Sequence, residues 1–182
     1  MFLQHISYGY NDEQILKDGF LRPANKTKIS NLYASQDKNG NQVFSNWIYT
    51  RLNTNLDKRD GYADFYISPD ILLKTKFVLH SNWKTEDNIV KSNIIDGTLL
   101  TKKNLYELLN NFKEISRLNF LNRIILAKKE DKKIIKSSSD TSNEILIKDD
   151  IDLHKYLVMY SDRDDKVVNE IIKNKYPNVK LI

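Results

Sequence analysis

Residues 143–147 read Asn-Glu-Ile-Leu-Ile, and residues 156–160 read Tyr-Leu-Val-Met-Tyr. Both runs are rich in the β-branched and aromatic residues that strands favour, which predicts strands over 143–147 and 154–160. The first of these strands begins with Glu144, so a carboxylate stands at the start of a rigid element. The rest of the fold depends on which earlier segments join this late pair of strands.

The N-terminus supplies a strand and a helix. Residues 2–7 read Phe-Leu-Gln-His-Ile-Ser, which predicts a short strand. Asn11 and the acidic residues after it start a helix through Ile15 and Leu16, and Gly19 stands where helices often end. Pro23 then restricts the residue before it to extended conformations, which predicts extended chain from Phe20 onward.

The middle and the end of the chain mix strands and helices without regular alternation. Further strands are predicted in the second half of 43–52, at 63–67, 76–80 and 178–182. Helices are predicted after Ser68, from Thr101 through the apolar stripe that ends near Phe120, and over 165–175. Segments 25–42, 53–61 and 128–140 are polar and predict loops, and 95–97 predicts a turn. The pattern predicts an α+β fold.

Composition bounds the kinds of site that the chain can build. It has 182 residues, which predicts one domain over 1–182 with a sizeable core. There is no cysteine, so disulfides and thiolate metal sites are excluded. With five glycines and three widely separated histidines, the sequence predicts neither a glycine-rich phosphate loop nor a metal site. The net charge of +5 favours contact with polyanions such as nucleic acid.

The sequence also predicts where the protein works. No apolar run approaches the ~20 residues that cross a bilayer, so no membrane association is predicted. The first residues lack the basic and apolar regions of a signal peptide, which predicts a cytoplasmic location. Heavy use of Lys, Asn and Ile is typical of an AT-rich genome, such as that of a large DNA virus or an intracellular bacterium. The host cytoplasm or a virion is therefore included in this prediction.

Three segments resemble the ADP-ribosyltransferase superfamily, in particular its His-Tyr-Glu branch. His5-Ile6-Ser7, followed by a helix that runs into Gly19-Phe20-Leu21, is similar to that family's opening strand and helix. A central aromatic strand is supplied by 48–52 or by 65–68. Glu144 and the strand pair after it are similar to the strands that carry the family's catalytic glutamate. DNA-modifying ADP-ribosyltransferase toxins are the branch that the chain resembles most.

The resemblance implies an ADP-ribosyltransferase-like split β-sheet with flanking helices, and an enzyme that transfers ADP-ribose from NAD to a macromolecular acceptor, protein or nucleic acid. NAD is then a substrate of the reaction. Glu144 is the implied catalytic residue, since a carboxylate can stabilise the positive charge that develops on the ribose. His5, Ser7, Tyr49, Arg51 and Tyr66 are the implied NAD-binding residues. Either Tyr49 or Tyr66 would stack on nicotinamide, Arg51 would contact the pyrophosphate, and His5 would donate a hydrogen bond to the ribose or the nicotinamide amide.

Each of these residues also has an ordinary structural interpretation. Glutamates are usually exposed, strand histidines are usually hydrogen-bonded within the fold, and strands favour tyrosine whatever the function. The alternative hypothesis is therefore a non-catalytic protein on the same fold, which binds a partner or packs into a larger assembly such as a virion. A nucleic-acid-binding module is a third hypothesis, and only the net charge favours it.

Overall fold

The computed structural model describes residues 1–7, 11–27, 46–53, 63–80, 94–114, 144–161 and 165–182. Within these ranges the strands are β1 (Phe2–Ser7), β2 (Phe20–Leu21), β3 (Ile48–Asn53), β4 (Ala63–Ile67), β5 (Lys76–His80), β6 (Ile95–Asp96), β7 (Glu144–Ile147), β8 (Ile151–Asp152), β9 (Leu157–Tyr160) and β10 (Lys180–Leu181). The helices are Asp12–Asp18 (the first helix), 102–114 (the middle helix), Leu153–Tyr156 and Lys166–Lys175 (the C-terminal helix). 3₁₀ helices cover Ala24–Lys26, Pro69–Lys74 and Gly97–Leu99.

Eight of these strands form one sheet, in the order β10-β9-β4-β1-β3-β7-β5-β6. Its neighbouring strands are antiparallel except for β10, which runs parallel to β9. The short strands β2 and β8 pair separately. The N-terminal strand β1 lies next to β3, and β3 lies next to β7. The order of strands therefore brings the N-terminal strand and the strand that begins with Glu144 to the centre of the sheet, with only β3 between them.

One face of the sheet forms the core with the helices. Successive side chains of a strand point to opposite faces, so Leu3, Phe65 and Ile145 share this face and are fully buried there. The helices contribute fully buried or nearly buried apolar residues to the same cluster: Leu16, Leu105, Leu109, Val168 and Ile172. Burial of each large apolar side chain contributes ~1.5–3 kcal/mol, so this face supplies most of the stability.

The ends of the helices are fixed by hydrogen bonds that the sequence indicates. Gly19 ends the first helix with a left-handed φ of 81°, as predicted from its position. The hydroxyl of Thr101 accepts a hydrogen bond from the Asn104 amide at 3.2 Å and so caps the middle helix. Asp165 accepts from the amides of Val167 and Val168 at the start of the C-terminal helix.

The C-terminal helix is tied to the first helix at its end. The hydroxyl of Tyr176 donates to the carbonyl of Leu16 at 2.7 Å, and Lys175 donates to the carbonyl of Lys17 at 2.7 Å. Burial, with a smaller contribution from Asp152, raises the pKa of Tyr176 to about 12. The Tyr176 hydroxyl therefore keeps its proton and remains a donor to the last turn of the first helix.

Three predicted elements differ from the structure. Residues 153–156 are a helical turn rather than the start of a strand, because the Asp152 side chain accepts from the His154 amide at 3.0 Å and caps that turn. The strand that follows begins only at Leu157. Residues 95–97, predicted as a turn, contain the short strand β6. The last strand covers only Lys180–Leu181 within the predicted range 178–182.

The remaining predicted elements are either confirmed by the structure or lie outside the described residues. The strands predicted at 2–7, 63–67 and 76–80, and in the second half of 43–52, are confirmed. The predicted short helix after Ser68 is a 3₁₀ helix, in which Pro69 stands in the first turn and Ser68 is the cap. The predicted loop at 128–140, most of those at 25–42 and 53–61, and the predicted end of the middle helix near Phe120 lie outside the described residues.

Candidate functional site

The junction between β1 and β3 is short. Its paired residues are Phe2 with Asn53, Leu3 with Leu52, and Gln4 with Arg51. Beyond Gln4, β1 continues to Ser7 along β4, while β3 continues back to Ile48 along β7. The central sheet is therefore split between β1 and β3, and the candidate site lies at this split.

His5 lies at the point where the ladder ends. Its Nδ1 is 2.8 Å from the backbone carbonyl of Tyr49, so the imidazole takes the position that a strand amide would otherwise fill. A carbonyl only accepts, so Nδ1 carries the proton. Burial lowers the pKa of His5 below its ordinary value, against smaller opposing effects of the Tyr49 carbonyl and the Asp12 charge. The neutral imidazole therefore presents Nε2 as an acceptor, whereas the sequence predicted a donor.

We expect the folded protein to lose stability as the pH falls because of His5. Its pKa in the unfolded chain is about 6.5, and its folded pKa is lower. Below pH ~6.5 the unfolded chain therefore binds the proton more readily, and the contribution of neutral His5 is lost as the pH falls through the folded pKa. The free energy of unfolding, measured in urea at pH 7.5 and 5.5, should fall more for the wild type than for His5→Gln.

Ser7→Ala is the matched control for this measurement. Ser7 is buried on the same strand, two residues from His5, and its side chain does not titrate in this range. The variant should therefore keep the pH dependence of the wild type even if its stability is lower at both pH values. Equal pH dependence in the wild type and His5→Gln would contradict the assignment of a neutral imidazole at this partly buried position.

Glu144 and Arg51 are direct cross-strand neighbours. The β3–β7 register sets Arg51 opposite Glu144, and the β1–β3 register sets Gln4 opposite Arg51. Side chains at such positions point to the same face, with Cβ atoms about 4.5–5.5 Å apart. The hydroxyl of Thr50 donates to the carbonyl of Ile145 at 2.8 Å and adds a further bond between these two strands. The site therefore contains a carboxylate and a guanidinium on rigid, adjacent strands.

The two candidate tyrosines have different environments. Tyr66 is fully buried, on the far side of β1 from β3, and its ring meets Phe2 edge-on at 6.3 Å between centroids. Tyr49 is half-buried, stands two residues from Arg51 on the same face, and packs against the cluster of Trp47, Val78 and Leu146. Tyr49 is therefore the tyrosine with surface left to contact a ligand beside Glu144.

Strand alternation divides the six predicted site residues between two faces. Glu144, Arg51, Tyr49 and Tyr66 belong to one face, because they stand at directly opposed or alternate positions. His5 and Ser7 belong to the other, core face, and Ser7 is buried beyond the end of the β1–β3 ladder. The register therefore brings Glu144, Arg51 and Tyr49 to one face, and His5 is joined to Tyr49 through the backbone carbonyl of that residue.

Sequence reasoning missed two polar residues beside this site. Asp12, in the first turn of the first helix, is 2% exposed and accepts a hydrogen bond from the Tyr160 hydroxyl at 3.0 Å. Its negative charge raises the pKa of His5, against the larger effect of burial. Gln4 is 4% exposed and stands between Tyr66 and Arg51. The available signal for Asp12 was its spacing of four residues from Leu16, which places both on the buried face of a helix. The signal for Gln4 was a polar residue in the middle of an apolar strand.

The described residues contain neither a metal-like cluster nor a helix that could span a membrane. In these ranges no group of three or more His, Cys, Asp or Glu side chains has the arrangement of a metal site. Over the same ranges, no helix combines the length and the apolar character that crossing a membrane requires.

Comparison with known proteins gives likenesses in structure. No protein-family model matches the chain, and no curated protein matches it. DarT of Thermus sp. 2.9 in complex with carba-NAD+ is similar at a TM-score of 0.50 and 12% identity, over 100% of this chain and 94% of that one. Thermosipho africanus DarTG in complex with ADP-ribose is similar at a TM-score of 0.49 and 15% identity, over 100% of this chain and 49% of that one. The Thermus DarT in complex with ADP-ribosylated ssDNA gives a TM-score of 0.49 at 9% identity, over 100% of this chain and 93% of that one.

At these identities the likeness concerns the fold. The described chain has a large, mostly antiparallel sheet with flanking helices, and the Thermus DarT covers it throughout. The predicted α+β class is thereby confirmed, and the protein has an ADP-ribosyltransferase-like fold similar to that of DarT.

Proposed function

We propose that this protein transfers ADP-ribose from NAD to a nucleic-acid acceptor, with Glu144 as the catalytic carboxylate. The observation that carries the proposal is the position of Glu144 at the start of β7, opposite Arg51 and next to the split that holds His5. The Thermus DarT, which shares the fold, is known in complex with carba-NAD+, and this precedent supports NAD as the substrate. The net charge of +5 favours a polyanionic acceptor over a protein.

The proposed chemistry follows from these residues. When the bond between nicotinamide and ribose breaks, its electron pair leaves with nicotinamide and positive charge develops on the ribose carbon. The Glu144 carboxylate stabilises that charge and takes the proton of the attacking acceptor group. Arg51 binds the pyrophosphate, because a guanidinium matches phosphate oxygens in geometry and charge. Tyr49 stacks on the nicotinamide ring.

His5 has a more specific part in this proposal than the resemblance implied. Because Nδ1–H is committed to the Tyr49 carbonyl, Nε2 accepts a hydrogen bond from a ribose hydroxyl or from the amide N–H of nicotinamide. The same bond holds the ring across the split, so its orientation is set before NAD binds. Ser7 and Tyr66 are buried and have no part in the proposed contacts with NAD.

The test is an assay of the wild-type protein with NAD and two acceptors. We expect nicotinamide release, and transfer of label from tagged NAD to a single-stranded oligonucleotide but not to a carrier protein such as casein. Labelling of casein alone would contradict the nucleic-acid acceptor while leaving the transferase. Failure to bind NAD at millimolar concentration would contradict the transferase itself and favour the non-catalytic alternative.

A further inference from the structure

Two lysines stand directly opposite each other at the far end of β5 and β7 from Glu144. The amide of Lys148 donates to the carbonyl of Lys76 at 2.9 Å, so the ladder that pairs Phe77 with Ile147 continues by one more pair. Both side chains are exposed. Like charges at directly opposed positions repel each other, so this pair lowers stability unless an anion lies between them.

Lys148 is held in place by an aromatic ring. Its Nζ lies 5.0 Å from the centroid of Trp47, which is 8% exposed and packs with Val78 and Leu146. The cation therefore lies over a fixed apolar base rather than extending freely into solvent. A fixed ammonium loses less conformational entropy when it binds an anion than a free one does.

Two acidic groups lie near the pair. Asp96 stands opposite Lys76 on the outer side, and its pKa is lowered chiefly by hydrogen bonds from Thr98 and further by Lys76. Asp149 follows Lys148 in the chain, and its carboxylate accepts from the Thr75 hydroxyl at 2.8 Å. Asp96 therefore faces Lys76 from one side, and Asp149 is engaged by a different partner.

The pair lies on the same face of the sheet as the candidate site. Lys148 is four residues from Glu144 along β7, and an even spacing on a strand keeps both side chains on one face. The rise of a strand puts the two positions ~13 Å apart. One acceptor strand can therefore reach the carboxylate and the lysine pair at the same time.

We infer that Lys76 and Lys148 bind a backbone phosphate of the nucleic-acid acceptor and so position it along the face that carries Glu144. This inference rests on the proposed function, since it assigns that reaction's acceptor to a surface. The two ammonium groups are a point-charge site for phosphate, and the Trp47 ring fixes one of them. The pair contacts phosphates only, so it binds without regard to base sequence.

The test measures binding of a fluorescein-labelled single-stranded oligonucleotide, without NAD, by anisotropy at 50–200 mM salt. Each phosphate contact on a single strand contributes ~0.7 to the slope of log K against log salt concentration. Because the two lysines share one phosphate, Lys76→Gln with Lys148→Gln should therefore lower the magnitude of that slope by ~0.7. Lys76→Arg with Lys148→Arg, which keeps both charges, should retain the wild-type slope, and circular dichroism verifies folding of each variant.

The matched control is Lys166→Gln with Lys173→Gln, which removes two exposed charges from the C-terminal helix. This variant should keep the wild-type slope. An equal loss of slope in the control, no change in the Lys76 and Lys148 variant, or no oligonucleotide binding by the wild type would each overturn the inference. So would weaker NAD binding in the Lys76 and Lys148 variant with oligonucleotide binding unchanged.

The assay separates this inference from the proposed function. Nicotinamide release to water needs no acceptor, so its rate should be the same in the wild type and in the Lys76 and Lys148 variant. If the wild type does not turn over NAD but the slope falls by the expected amount, the proposed function fails and the lysine pair remains a nucleic-acid contact.

Discussion

Replacement of Glu144 by glutamine should lower the rate of nicotinamide release by two to four orders of magnitude. Glutamine keeps the shape of the side chain and its hydrogen-bonding oxygen, but it carries no charge to oppose the one that develops on the ribose. Removal of a positioned electrostatic or acid–base group costs ~10²–10⁴ in rate. Each tenfold loss corresponds to ~1.4 kcal/mol of the barrier, so the expected change is ~2.7–5.5 kcal/mol.

The effect should fall on the chemical step rather than on binding. We expect the Kd of NAD for Glu144→Gln to stay within about threefold of the wild type, because the charge that Glu144 opposes is absent from bound NAD. The matched control is Glu107→Gln, since Glu107 is an exposed carboxylate on the middle helix with a long contact to Lys103. A Glu144→Gln enzyme with a tenth or more of the wild-type rate would remove Glu144 from the catalytic role.

Gly97→Ala should unfold the protein or cost it more than ~4 kcal/mol. A Cβ on Gly97 would lie 1.6 Å from the carbonyl oxygen of Leu72 and 2.9 Å from that of Thr75. Both obstacles are backbone atoms, and the Gly97 amide donates to the same Thr75 carbonyl at 3.0 Å. The substitution therefore has to push the Pro69–Lys74 3₁₀ helix away from the one that begins at Gly97. Overpacking of this kind is one of the few causes of losses this large.

Gly19→Ala is the matched control for this prediction. Gly19 has a φ of 81°, where an alanine costs ~1–2 kcal/mol, and its Cβ would meet the side chain of His154 at 3.0 Å. That side chain is exposed and can move aside. Urea unfolding followed by circular dichroism should rank wild type, Gly19→Ala and Gly97→Ala in order of falling stability. Similar stabilities for the two variants would mean that the Leu72 backbone yields easily.

The elements that the sequence predicted well are those with a local signal. Gly19 ends the first helix and Thr101 caps the middle helix because these residue types satisfy helix ends wherever they occur. The strand predicted over 143–147 covers Glu144–Ile147 within the described residues, since 144–147 is apolar apart from its first residue. The prediction of a strand failed at residues 153–156, because the Asp152 side chain caps a helical turn there despite the strand-like composition around it.

The site was harder to predict because it depends on register. Alternation within β1 could be read from the sequence, but the pairing of Arg51 with Glu144 requires knowing that β3 lies between β1 and β7. The same information separates Tyr49 from Tyr66, which local composition does not distinguish. The direction of the His5 hydrogen bond depends on a carbonyl 44 residues away. Such contacts follow from topology rather than from any local pattern.

The short junction between β1 and β3 has a mechanical consequence. Three residue pairs join the half of the sheet that contains β4 and β9 to the half that contains β5 and β7, whereas β1 and β4 share five. The two halves are therefore held together along this junction by fewer residue pairs than join β1 to β4. A ligand that contacts both β1 and β3 links the two halves of the sheet. Because such a ligand binds only the folded protein, its binding raises the free energy of unfolding.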